Sequence, residues 1–166
     1  MTSRMGFCIA TLAAACASIV CASCLLQVAK AQAVKTLAAA AAGPRNERGL
    51  AIGRNPYTAN ADAIAEGKDL FESNACSGCH GVNAGGGICP SLVNAIWIYG
   101  SDDTTLFNLI KLGSVALRAQ GYARVGHEKV GGDMPPFASM LSEDDEWKLI
   151  AYIRSKYTGD PALRNW

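Results

Sequence analysis

Residues 76–80 read Cys76-Ser77-Gly78-Cys79-His80, the C-x-x-C-H pattern through which haem is covalently attached to a polypeptide. The two thiols add to the haem vinyl groups as thioethers, and the adjacent imidazole reaches the iron as proximal ligand. The histidine directly after the second cysteine gives the pattern its specificity. A bare C-x-x-C is also half a zinc site or a redox dithiol. Zinc needs a second Cys/His pair at ligand spacing, and none lies downstream. A thioredoxin-like dithiol wants a strand before it and a helix after it. Here a helical pattern precedes the motif and a polar, Gly-rich loop, 81–87, follows.

On the N-terminal side, residues 61–74 carry Ile64, Gly67, Leu70 and Phe71 at helical spacing, with Glu66 and Lys68 outward. Asn60 or Asp62 can cap the start. Gly67 costs a helix about 1 kcal/mol against alanine, an expense that marks a close crossing. This helix is expected to end at the motif, with Cys76 and Cys79 on its exit turn. On the C-terminal side lies Ile88-Cys89-Pro90-Ser91-Leu92. A buried ligating histidine donates its free ring N–H to a carbonyl, and that of Pro90 is the candidate acceptor. Cys89 reads as a small buried filler. Trp97 and Tyr99 supply ring area for a haem wall, with an N–H and an O–H that can reach a propionate.

A helix opens at Ser101-Asp102-Asp103, with Leu106, Phe107, Leu109, Ile110 and Leu112 on its apolar face. Gly113 stops or bends it, and 114–122 read as a further short helix. Residues 124–133 form a polar, Gly-punctuated loop leading into Met134-Pro135-Pro136-Phe137. Ser142 followed by Glu143, Asp144 and Asp145 opens the last helix, a cap with acids in the first turn. Trp147, Leu149, Ile150, Tyr152 and Ile153 give its apolar stripe. Gly159-Asp160-Pro161 is expected to end the domain.

Three side chains compete for the iron position opposite His80: Met134, Met140 and His127. Met134 is the favoured ligand, since Pro135 and Pro136 stiffen its loop and an electron-transfer centre needs a ligand that stays put. Met140 lies one turn from the last helix and is expected to pack against it. His127 reads as a solvated loop residue. An open sixth position, as in a peroxidase-like haem enzyme, is the remaining alternative.

The chain has 166 residues and a net charge of +1, so it shows neither a nucleic-acid footprint nor an acidic tail. Its first residues carry one charge, Arg4, before an apolar run over 7–28 and A-x-A sites ending at Ala31 and Ala33. That order is a secretory signal peptide, residues 1–31. An uncleaved membrane anchor or a lipidated Cys24 are the rival readings. Residues 32–58 read as a flexible linker and 59–166 as the folded domain. Of seven cysteines, Cys8, Cys16, Cys21 and Cys24 sit in the leader and two belong to the haem motif. Cys89 alone cannot form an internal bridge.

From Asn60 to Tyr157 the chain resembles a class I c-type cytochrome. The resemblance rests on C-x-x-C-H, on Pro90 and Met134 at the family's positions, and on Gly67 with Phe71 facing Leu149 with Tyr152. It implies an all-α cytochrome c fold with a single covalent haem c, the first and last helices crossing beside it. It also implies an electron carrier rather than an enzyme, with His80 and Met134 on the iron. One departure is the stretch of about twenty residues, 114–133, between Gly113 and Met134, which is expected to cover a haem edge and shape a docking surface. Residues 85–87, 97–100 and 134–137 are similar to periplasmic cytochromes that serve quinoprotein (PQQ) alcohol or methanol dehydrogenases. That resemblance implies a periplasmic carrier with such a dehydrogenase as donor and another cytochrome or an oxidase as acceptor. It would touch a membrane only if the N-terminal segment is retained or lipidated, as in a tethered subunit of a larger oxidoreductase.

Overall fold

Asn60 begins α1 (Ala61–Ser73), the first helix within residues 53–166, by accepting the Ala63 N–H at 3.0 Å on its side-chain oxygen. A cap of this kind satisfies one of the donors that a helix start leaves orphaned. The structure, a computed structural model, describes residues 27–30, 32 and 53–166. After α1 come α2 (Cys76–His80), α3 (Asp103–Ala119) and α4 (Glu143–Ser155), with 3-10 turns at Val82–Ala84 and Pro161–Leu163. No strand occurs among the described residues. Most of the expected signal peptide and of the expected linker lie outside them.

Helices α1 and α4 cross beside the haem motif as the resemblance implies, and Gly67 is the point of contact. A Cβ there would lie 2.1 Å from the backbone oxygen of Lys148 and 3.0 Å from the Tyr152 Cβ. The rings of Phe71 and Tyr152 meet one turn on, 5.4 Å apart and tilted. Ser142 opens α4 through a reciprocal capping box. Its hydroxyl accepts the Asp145 N–H, and the Asp145 carboxylate accepts the Ser142 N–H at 3.1 Å.

Helix α3 starts at Asp102, whose carboxylate accepts the Thr105 N–H at 2.8 Å. Gly113 breaks it at φ 73°, ψ 167°, so 103–112 and 114–119 are two helical pieces at an angle. The break exposes helix carbonyls that need donors. Phe137 and Ala138 supply them, donating to Ile110 at 3.0 Å and Lys111 at 3.3 Å. Phe107 stacks on Trp147, centroids 4.2 Å apart, and joins α3 to α4 in a core that includes Phe71, Leu106, Ile110, Ile150 and Ile153.

A buried ion pair holds the far end of α4. Arg154 binds Asp103 at 2.9 Å, with the two side chains only 3% and 2% exposed, and also donates to the Ser101 carbonyl. Its guanidinium lies 3.9 Å from the Trp166 ring centroid and 5.2 Å from that of Trp97. Burial pushes the Arg154 pKa down from its ordinary value, opposed by the hydrogen bond to Asp103.

Four sequence expectations need correction. Residues 53–58 are not a free tether: Asn55 is buried, with its N–H on Asp103 at 2.8 Å and its amide on the Trp147 carbonyl at 2.9 Å. Helix α1 does not run into the motif. It stops at Ser73, and Ala75 takes the left-handed conformation at φ 58° before α2 begins. The domain does not end at Pro161, because Trp166 packs edge-on against Tyr157 at 5.0 Å and Trp97 at 6.2 Å. Met140 does not pack on the last helix but stays 59% exposed.

Candidate haem site

The motif forms a single helical turn of its own. In that turn Cys76, Cys79 and His80 are each half-buried. The left-handed turn at Ala75 separates it from α1, so α1 can lie along α4 while the motif points elsewhere.

His80 is oriented by the loop that follows. Its Nδ1 lies 2.8 Å from the Pro90 carbonyl, so Nδ1 carries the proton and donates, leaving Nε2 with a free lone pair. Burial lowers the pKa of His80, and the Pro90 hydrogen bond works against that shift. The loop reaches this position by close backbone approach. The Gly86 N–H donates to the His80 carbonyl at 2.7 Å and the Cys89 N–H to the Cys79 carbonyl at 3.1 Å. A Cβ at Gly81 would lie 2.2 Å from the Gly86 oxygen, and one at Gly87 2.7 Å from the Cys79 oxygen. Cys89 is half-buried beside Cys79. Burial pushes its thiol pKa up from the ordinary value.

Met134 lies in the loop between α3 and α4, half-buried against the same core cluster that Cys76, Leu92, Val93 and Trp97 cover. Its backbone is bound on both sides by Ser114, which accepts the Met134 N–H on its hydroxyl at 3.0 Å and donates its own N–H to the Met134 carbonyl at 2.9 Å. Trp97 packs on the core with Arg154 and Trp166 against it. The Tyr99 hydroxyl accepts from Arg118 at 3.0 Å, and Arg118 also donates to Asp133 at 2.7 Å. His127 and Met140 are both exposed.

The extra residues before Met134 form a strap along the 88–98 loop. The Gly131 N–H donates to the Ile88 carbonyl at 2.9 Å, and the Val125 N–H to that of Ile98 at 2.8 Å. Glycines permit the contact: a Cβ at Gly126 would lie 2.5 Å from the Trp97 oxygen, and one at Gly131 2.4 Å from the Ile88 oxygen.

Two thiols and a ring-oriented imidazole on one helical turn could hold a c-type haem, and a thioether, Met134, packs against the same core as Cys76. The family model described as Cytochrome c matches residues 64–156. The chain belongs to the cytochrome c family.

Among curated proteins, this cytochrome is similar to cytochrome c-L of Methylorubrum extorquens, 32% identical over 125 residues. That match covers 74% of this chain and 55% of the relative. It is also similar to the cbb3-type cytochrome c oxidase subunit CcoP of Azospirillum brasilense, 36% identical over 108 residues, covering 61% of this chain and 31% of that one. The chain thus spans about half or less of the length of these relatives. Among solved structures, cytochrome cL of Methylophaga aminisulfidivorans superposes with a TM-score of 0.54 at 29% identity, over 75% of each chain. The cytochrome carries covalently bound haem c, the group that its family implies. The residues present fit that group: Cys76 and Cys79 are free thiols, and His80 keeps a ring nitrogen available beside them.

The sequence gives no sign of Ser114, Asp133 or Arg118 as site residues. Ser114 follows Gly113 directly, and only the reversal at that glycine brings it to Met134.

Proposed function

We propose that Cys76 and Cys79 hold the haem, that His80 and Met134 ligate its iron, and that the protein is a periplasmic carrier reduced by a PQQ-containing alcohol or methanol dehydrogenase. Another cytochrome or an oxidase then takes the electron. The observation that carries the ligation is the 2.8 Å contact between His80 Nδ1 and the Pro90 carbonyl. It fixes the tautomer and strengthens Nε2 as a ligand. The haem supplies a one-electron couple when bound. The residues' part is to present a nitrogen and a sulfur on stiff loops, where Met134 would raise the reduction potential and Trp97 and Tyr99 would supply ring area for a haem wall.

The likeness to cytochrome c-L supports a dehydrogenase donor, since it spans most of this chain. The CcoP likeness covers a smaller share. The test is reduction of the purified holoprotein by quinoprotein dehydrogenases supplied with a series of alcohols. Rapid reduction by one of them, with the long-wavelength absorption band that ferric haem shows when sulfur is bound, is the expected result. Loss of that band in Met134→Ala completes the assignment. A wild-type protein that lacks the band and binds carbon monoxide readily has an open iron site, and the carrier with Met134 on iron is then wrong.

A further inference from the structure

The backbone around Met134 is held by one residue. Ser114 is only 5% exposed. Its N–H donates to the Met134 carbonyl at 2.9 Å, and its Oγ accepts the Met134 N–H at 3.0 Å while donating its proton to Asp133 Oδ1 at 2.6 Å. These bonds fix the peptide plane before the Met134 Cα and the plane after it. With both planes fixed, the direction of the Cα–Cβ bond is fixed as well. A hydroxyl offers one donor and two acceptor sites, and here it is both donor and acceptor at once.

The neighbours reinforce this geometry. Gly113, at φ 73°, turns the chain so that Ser114 meets the loop, and any Cβ there would lie 2.6 Å from the Met134 oxygen and 2.8 Å from Pro135 and Pro136 backbone atoms. Arg118 binds the Asp133 oxygen that takes the Ser114 proton, at 2.7 Å, and bridges to the Tyr99 hydroxyl at 3.0 Å. Arg118 and Asp133 are 42% and 53% exposed, so their pair adds little stability. What it does is keep the carboxylate aimed at Ser114.

We infer that Ser114 is a positioning residue for the Met134–iron bond, held in register by Asp133 and Arg118. The inference rests on the proposed ligation by Met134. Losing the hydroxyl frees the Met134 N–H and releases Asp133 from the loop, so the thioether spends more time off the iron. One hydrogen bond of this kind corresponds to about a tenfold change in an equilibrium.

The test compares four holoproteins: wild type, Ser114→Ala, Ser114→Thr and Ser142→Ala. Ser142 caps α4 and does not touch Met134, so its variant reports ordinary destabilisation alone. Imidazole binding to the ferric form, well below the melting temperature, is the readout, because the ligand enters only when sulfur leaves. Ser114→Ala is expected to bind imidazole about tenfold more tightly and to show a lower reduction potential. Ser114→Thr, which keeps the hydroxyl, is expected to stay near wild type, and so is Ser142→Ala despite its lower melting temperature. If Ser114→Ala fails to yield holoprotein, Arg118→Gln replaces it, with a smaller shift in the same direction. Wild-type affinity and potential in Ser114→Ala, or an equal change in Ser142→Ala, overturns the inference. Absence of the sulfur–iron band in wild type overturns the ligation itself, which is a different failure.

Discussion

Replacing Gly67 by alanine tests the crossing on which the fold depends. In an isolated helix the change would stabilise by about 1 kcal/mol, because alanine loses less backbone entropy. At this position the new methyl would sit 2.1 Å from the Lys148 oxygen and 2.7 Å from its carbonyl carbon. That is about 1 Å or more inside van der Waals contact. The obstacle is the backbone of α4 and cannot rotate aside as a side chain would. Relief requires the two helices to separate, which loosens Phe71 and Tyr152 against one another and opens a gap in the core. Overpacking costs of about 1–3 kcal/mol, occasionally more, are typical even where side chains can adjust. The helix-propensity gain offsets only part of that, so a net loss of about 2 kcal/mol is expected. In a domain of this size that lowers the melting temperature by about 10 °C, measured on holoprotein by circular dichroism. Gly132→Ala is the control, since it lies outside the haem motif and has nothing within 4 Å of the added Cβ. It should melt at or slightly above wild type. Gly67→Ala melting within about 2 °C of wild type would falsify the close-crossing reasoning.

Arg154→Met leaves Asp103 buried without its counter-ion, and removing one partner of such a pair costs about 3–5 kcal/mol. Denaturant unfolding should show that loss, and Arg154→Met combined with Asp103→Leu should recover much of it; additive losses would argue against a coupled pair. Asp144 is expected to contribute to the pH dependence of stability. Burial opposes its ionisation, but hydrogen bonds from Lys148 and Tyr57 outweigh that and hold its pKa below the ordinary aspartate value. A carboxylate shifted down in the folded state stabilises above its unfolded pKa of about 3.9 and ceases to do so as pH falls through the folded value. The stability gap between wild type and Asp144→Asn should therefore shrink as pH falls below about 4, and a gap independent of pH would refute this. Residues 55–166 carry nine Lys/Arg against thirteen Asp/Glu, a net of −4 before haem. A donor with a complementary basic patch is steered by that charge, so the second-order rate of reduction should fall as salt rises. A rate flat with ionic strength removes steering from the account.

Gly67 is legible in the sequence because a glycine inside a strong helical pattern has no local reason to be there. Ser142 with its acids, and the C-x-x-C-H motif, are equally plain, since each is a local arrangement with local chemistry. The break between α1 and α2 is not legible. Ala75 takes a left-handed conformation that favours glycine or asparagine, and Ala75 offers no such signal. Asn55 before a proline reads as a turn. Its burial depends on Asp103 and Trp147, which only the folded chain brings to it. Ser114 reads as an ordinary helix residue for the same reason, and Trp166 as the end of a tail. Asn55, Ser114 and Trp166 escape the sequence because each depends on distant segments meeting, and Ala75 escapes it because its residue type does not announce its conformation.

The strap over 120–133 has a consequence for motion. Its bonds to Ile88 and Ile98 tie it to the loop that carries the Pro90 carbonyl, and its last residue adjoins Met134. The imidazole side and the thioether side of the centre therefore share one continuous tether. Shortening the strap would slacken both at once. Segments linked in this way open as a cooperative unit, so the amides of Cys89, Val125, Gly131 and Met134 should exchange with solvent at a common rate.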